Sequence, residues 1–180
     1  LVKSRARESH VLYNMLVDGA GGEASYELEF PNGGLVYAIG NTIGQSTTSD
    51  NAVLLAYGAE GPHWPDNALY AAHNTLINDA PDGVFVKVFS GKMGDPEVWL
   101  LNNLTVGYGD LFKPMQGRFD GNRSVMRGDL AEVGGIPLRL TNLSSLRGTI
   151  RPPGQARGVD LLPDAEFRFP VGTRAMRPGS

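Results

Sequence analysis

The feature that most constrains this chain is a segment that recurs about every thirty residues: an apolar strand, an asparagine, then a second short apolar stretch. Four copies read His10-Val-Leu-Tyr-Asn14-Met-Leu, Tyr37-Ala-Ile-Gly-Asn41-Thr-Ile, Tyr70-Ala-Ala-His-Asn74-Thr-Leu and Trp99-Leu-Leu-Asn-Asn103-Leu-Thr. The asparagines are 27, 33 and 29 residues apart. A weaker fifth copy ends at Asn142. Repetition at this period predicts a solenoid, in which each unit buries its apolar face only against its neighbours.

Helical repeats share this period, but the contents of each unit point to strands. Every unit carries another extended run: Ser25 to Phe30, Ala52 to Tyr57, Val84 to Phe89. These runs are rich in β-branched and aromatic residues and soon meet Gly, Pro, Asn or Asp. No window keeps a 3.6-residue stripe with helix caps. The 24 glycines and 12 prolines are scattered as punctuation, which suits many short strands. The expected fold is all-β: a right-handed parallel β-helix of three-strand coils with a ladder of Asn14, Asn41, Asn74 and Asn103. Asparagine suits such a bend because it tolerates left-handed backbone and its amide can bond the same residue in the next coil. Regular coils are expected over 1–107. Residues 108–180, polar, then proline- and arginine-rich, should form an irregular final coil and a C-terminal cap of the same domain. The first residues enter directly as a strand, so further coils upstream, or self-association through the open edge, are expected to cover it.

Composition excludes several classes. A net charge of −3 provides no basic stripe for nucleic acid. The absence of cysteine removes disulfides, thiolate metal sites and a thiol nucleophile. No apolar run reaches the ~18–20 residues of a membrane-spanning helix. Export to the periplasm or the cell exterior is expected, with any leader lying upstream of this chain.

Strand alternation nominates a working face. Burying Leu28 and Phe30 sends Glu27 and Glu29 outward, and burying the valines of 84–88 sends Phe85, Lys87 and Phe89 outward. With Val2 inward, Lys3 stands outward beside Glu29, and Tyr57 is expected to join the row. The longest loop, 58–67, adds His63 and Trp64 as a rim. Charges interleaved with rings suit an acidic polysaccharide; solvated cross-strand ion pairs would give the same pattern. Glu27 and Glu29, two apart on a strand, lie ~6.6–6.8 Å apart, within the range of an inverting glycosidase pair. No pair of residues has zinc spacing. Oxygen ligands of this kind suit a hard cation such as Ca²⁺, with Glu27, Glu29 and loop carbonyls as the candidate donors. Asn-X-Ser/Thr tripeptides at Asn103, Asn122 and Asn142 are read as coincidental, since Asn103 should point inward.

The first coil, Val2-Lys3-Ser4 followed by Val11-Leu-Tyr-Asn14, resembles the pectate-lyase-like β-helix superfamily, and within it the chondroitinase B and alginate lyase branch. The resemblance implies β-elimination on a uronate polysaccharide, with Lys3 as base, an arginine beside it and Ca²⁺ neutralising the substrate. Where that branch places its arginine this chain reads Glu27-Leu-Glu29-Phe-Pro, so Arg5 or Arg7 would stand in. The lyase-specific match is confined to one coil, while the whole chain resembles right-handed parallel β-helix repeat proteins in general. The competing expectation is a non-catalytic solenoid: an adhesin, a tail-spike-like glycan binder or an envelope scaffold.

Overall fold

The structure is a computed structural model that describes residues 2–18, 25–49, 51–133, 136–142 and 144–176. Five coils of three strands follow one another. They are β1 (Val2–Lys3), β2 (Glu8–Leu12) and β3 (Met15–Val17); β4 (Leu28–Phe30), β5 (Leu35–Ile39) and β6 (Thr42–Gln45); β7 (Val53–Tyr57), β8 (Ala68–Ala72) and β9 (Thr75–Asn78). The fourth coil holds β10 (Val84–Val88), a one-turn helix α1 (Ser90–Met93), β11 (Glu97–Leu101) and β12 (Leu104–Gly107). Beyond residue 107 the chain makes one more coil, with β13 (Asp110–Leu111), β14 (Gly117–Asp120) and β15 (Arg123–Val125). Equivalent strands pair in parallel, giving three five-stranded sheets, β1-β4-β7-β10-β13, β2-β5-β8-β11-β14 and β3-β6-β9-β12-β15. This is a parallel β-helix. Three antiparallel pairs follow: β16 (Leu130–Val133) with β17 (Ile136–Leu140), β18 (Gln155–Ala156) with β19 (Val159–Asp160), and β20 (Ala165–Phe167) with β21 (Thr173–Ala175). Among the described residues no helix is long and apolar enough to cross a membrane.

Register stacks like on like. Leu28, Leu55 and Val86 form one column and Phe30, Tyr57 and Val88 the next, all buried in a single core. Each fully buried Leu or Phe contributes about 1.5–3 kcal/mol relative to exposure. Tyr57 therefore faces the interior, not the outer row predicted for it. Its hydroxyl satisfies itself by donating to the Gly34 carbonyl at 2.7 Å. Phe85, also expected outside and exposed, is 3% exposed and part of the same core.

The asparagine ladder is present. Asn14, Asn41 and Asn74 each donate through both backbone N–H and side-chain amide to Oδ1 of the next asparagine, at 2.9–3.3 Å. Each buried amide nitrogen also donates to a strand carbonyl: Asn41 to Val11, Asn74 to Ala38, Asn103 to Ala71. The fifth rung is Asn122, which accepts from Asn103 at 2.9 and 3.0 Å, 19 residues on. Asn142, read from sequence as the fifth copy, is exposed in a turn. A second correction concerns the bend. The left-handed residues are those just before the ladder, Tyr13, Gly40, His73, Asn102 and Gly121, at φ between 54° and 68°. The asparagine closes the corner by hydrogen bonding while its predecessor carries the strain, which runs to about 1–3 kcal/mol for a residue with a Cβ.

On the outer face of the second sheet, rings run along one register row. His10 stacks on Tyr37 at 4.6 Å, Tyr37 on Tyr70 at 5.1 Å, Tyr70 meets Trp99 edge-on at 5.4 Å, and the Arg118 guanidinium lies 4.9 Å over Trp99. The C-terminal segment covers much of this row. Ala156 and Leu161 are buried against Tyr37, Tyr70 and Leu101. Arg157 donates to the Tyr70 hydroxyl at 2.9 Å, and Tyr13 donates to Asp164 at 2.7 Å.

Candidate functional site

The turn after β1 and the loop 58–67 meet on one side of the solenoid. The loop is pinned over the preceding turn by Glu60 N–H to the Pro31 carbonyl at 2.8 Å and His63 N–H to the Asn32 carbonyl at 3.0 Å. Asn67 braces it, donating to the Trp64 carbonyl and accepting from Gly34 N–H. Thus fixed, an insertion of the third coil reaches back over the second to touch the first. The Trp64 indole N–H donates to the Arg5 carbonyl at 3.2 Å, and His63 packs edge-on against Trp64 at 4.8 Å.

Two carboxylates anchor the cations there. Lys3 Nζ lies 3.0 Å from Glu29 Oε2, across the β1–β4 register pair, and 3.5 Å from Glu60 Oε1. Arg5 grips Glu60 with both arms, Nη2 to Oε1 at 2.6 Å and Nε to Oε2 at 3.3 Å. Glu60 thereby bridges Arg5 and Lys3. Contact with Glu29 raises the Lys3 pKa above its ordinary value, so the amine is a cation at neutral pH. The Arg5 fork holds the Glu60 carboxyl below the usual range. Lys3, Arg5 and Glu60 are all about half exposed at the side chain, whereas Glu29 is 10% exposed. Beside them an open cleft of about 510 Å³ is lined by Val2, Lys3, Ser25, Tyr26, Glu29 and Asn51.

Of the residues nominated from sequence, Lys3, Arg5, Glu29, His63 and Trp64 come together. Lys87 does not reach them: it stands exposed on the same sheet, aligned with Ala56 and so with Glu29, two rungs or roughly 10 Å away. There it sits over Phe89 at 5.1 Å, and Lys92 approaches the same ring at 5.7 Å while donating to the Ala59 carbonyl of the long loop. Arg7 is exposed and makes no ion pair among the described residues. Tyr57 lies in the core, as described above. Glu27 departs most from expectation: it is wholly buried, and among the described residues neither carboxylate oxygen has a hydrogen-bond partner. Burial, and next the charge of Asp18, push its pKa up to about 7.

The Glu27–Glu29 pair therefore forms neither an exposed acid–base dyad nor a cradle for a substrate-bridging Ca²⁺. Glu29 is engaged by Lys3, and Glu27 is shut away beside Asp18. Among the described residues no three His, Cys, Asp or Glu side chains gather as metal ligands. Glu60 is the residue that sequence reading missed. The length of the loop 58–67 is legible in the sequence, but nothing in Gly58-Ala-Glu60-Gly61 signals that it folds back across a whole coil to set Glu60 on Arg5.

Fold and site together define a parallel β-helix with a cationic corner closed by its own carboxylate and edged by indole. Comparisons with protein-family models, with curated proteins and with solved structures found no match to this chain.

Proposed function

We propose that this corner binds the carboxylates of an anionic polysaccharide. The observation that carries the reading is Glu60: one carboxylate sits bidentate on Arg5 and within reach of Lys3, which is how a uronate carboxylate would sit in its place. A planar guanidinium fork and a lysine held as a cation suit recognition of such a group. Trp64 and His63 supply ring edges, and Lys87, Phe89 and Lys92 continue the cationic and aromatic character on the fourth coil, three rungs from Lys3. A polymer of this kind is met outside the cytoplasm, so export belongs to the proposal. An adhesin or a glycan-binding scaffold is the class of protein it describes.

The test is affinity for a uronate polymer, with a neutral glucan as control. Lys3→Ala and Arg5→Ala should each weaken binding to the uronate polymer about tenfold or more, and Arg7→Ala should not. Equal binding by all four proteins would overturn the reading. A second reading, β-elimination by a relative of the pectate-lyase-like enzymes, is supported by the Lys3-Ser4 match and by Arg5 and Lys3 sharing one carboxylate. Against it, an ion-paired, protonated Lys3 cannot accept a proton until its contacts with Glu29 and Glu60 open. A rise in unsaturated-uronate absorbance that Lys3→Ala abolishes would select this second reading.

A further inference from the structure

The corner where the third strand of each coil turns into the next coil holds a second side-chain stack. Asp18, Gln45 and Asn78 follow one another there, one residue past the Val17–Gly44 pair and at the Gln45–Asn78 pair. Gln45 Nε2 donates to Asn78 Oδ1 at 3.1 Å, and Asn78 Nδ2 donates to the Ala52 carbonyl at 2.8 Å. The polarity matches the main ladder, where each amide nitrogen points to the later coil and each amide oxygen accepts from the earlier one.

At the first rung that polarity fails. The residue that should donate to Gln45 Oε1 is Asp18, whose carboxylate has no proton to give. Gln45 is 3% exposed, and among the described residues its Oε1 has no hydrogen-bond partner. Asp18 is 9% exposed, and its Oδ2 accepts from Ser49 Oγ at 3.0 Å. Glu27, 0% exposed, is close enough for the Asp18 charge to act on it, and among the described residues both its oxygens lack donors. Among the described residues, the Ser49 hydroxyl is the one side-chain donor to this group of two buried carboxylates and an orphaned amide oxygen. Burying such charges is expensive unless a proton or a positive partner offsets them.

We propose that Asp18, Glu27 and Gln45 Oε1 are ligands of a hard divalent cation, calcium in type. The donors are all oxygen, with no nitrogen or sulfur for zinc. Two carboxylates match a double positive charge. Backbone carbonyls and water would complete the shell. The cation does for the first rung what an asparagine amide does for the later ones, tying coil one to coil two. The site is separate from the Lys3–Arg5–Glu60 corner and stands whether or not that corner binds a glycan.

The experiment is calorimetric titration of the chelator-treated protein with CaCl₂, together with thermal melts in CaCl₂ and in EDTA. The wild type should show one saturable site of millimolar or tighter affinity and a raised Tm in calcium. Glu27→Gln and Asp18→Asn should each abolish the site. Asp18→Asn, which gives Gln45 Oε1 its missing donor, should also melt higher than the wild type in EDTA. Absence of calcium binding by the wild type would overturn the proposal, and so would binding undiminished in both variants. A wild-type Tm that falls between roughly pH 5 and pH 7 in EDTA and is not restored by calcium would make a proton the only counter-charge, and would also overturn it.

Discussion

A single side chain in the ladder does different work according to how many neighbours it has. Asn74 accepts from Asn41 twice and donates to Ala38 and Asn103, all in the buried interior. Asn14 donates forward but is exposed. Asn74→Ala strands a carbonyl and an N–H in the core and should cost about 2–4 kcal/mol, whereas Asn14→Ala should cost under about 1 kcal/mol. Urea denaturation of the two variants measures the difference, and equal losses would mean that the ladder is decoration. His73 illustrates a second cost. It is left-handed at φ 54°, and burial pushes its pKa down to about 4. Unfolded histidine binds a proton below about pH 6.5, while the folded one resists it until about pH 4. Stability is therefore lost as pH falls through that window. His73→Asn, the residue type found in the same left-handed position at Asn102, should flatten the slope between about pH 6.5 and pH 4 in a series of denaturant midpoints. An unchanged slope would show that His73 is not what titrates.

At the level of elements, the strands were legible because their signal is local and repeated. The apolar run before each asparagine fixes strand, corner and register together, and the same solution recurs in every coil. What escaped is whatever links distant elements. Tyr37, Tyr70 and Trp99 occupy matching places in the repeat, yet only the parallel register turns that coincidence into a stacked row. The cover over it, 153–164, comes from the far end of the chain. Glu60 acts on Arg5 and Lys3 by a loop path that no periodicity records. Alternation put Glu27 and Glu29 on one strand, but β4 begins at Leu28 and leaves Glu27 in the bend before it; nor could it foresee the burial of either, because alternation assigns a face and not what lies over it. The cover itself is testable. Leu161 is 0% exposed against the aromatic row, so Leu161→Ala should cost about 2–4 kcal/mol. Hydrogen exchange should then rise in 153–164 while β7 and β8 stay protected. Loss of protection throughout would mean that the cover and the solenoid fold as one unit.

For the whole molecule, the solenoid is a scaffold that sets cations and rings at a fixed rung spacing, and its long loop closes one end of the row with a carboxylate of the protein's own. Two opposed titrations frame its stability. His73 weakens the fold on the acid side, and Glu27, held near 7 by burial and Asp18, weakens it as pH rises from about 4.5 to about 7 in the absence of a cation. Glu27→Gln should remove the second slope and leave the first, which pH-dependent melts in EDTA would reveal. Glu60 links the scaffold to the proposed function. If its carboxylate occupies the place of a uronate, removing its charge should free Arg5 and Lys3 for the polymer. The most direct measurement is calorimetric titration of a uronate polysaccharide into the wild type and into Glu60→Gln. The account predicts that Glu60→Gln binds more tightly, by about tenfold, with neither protein binding a neutral glucan. Equal or weaker binding by Glu60→Gln would contradict it.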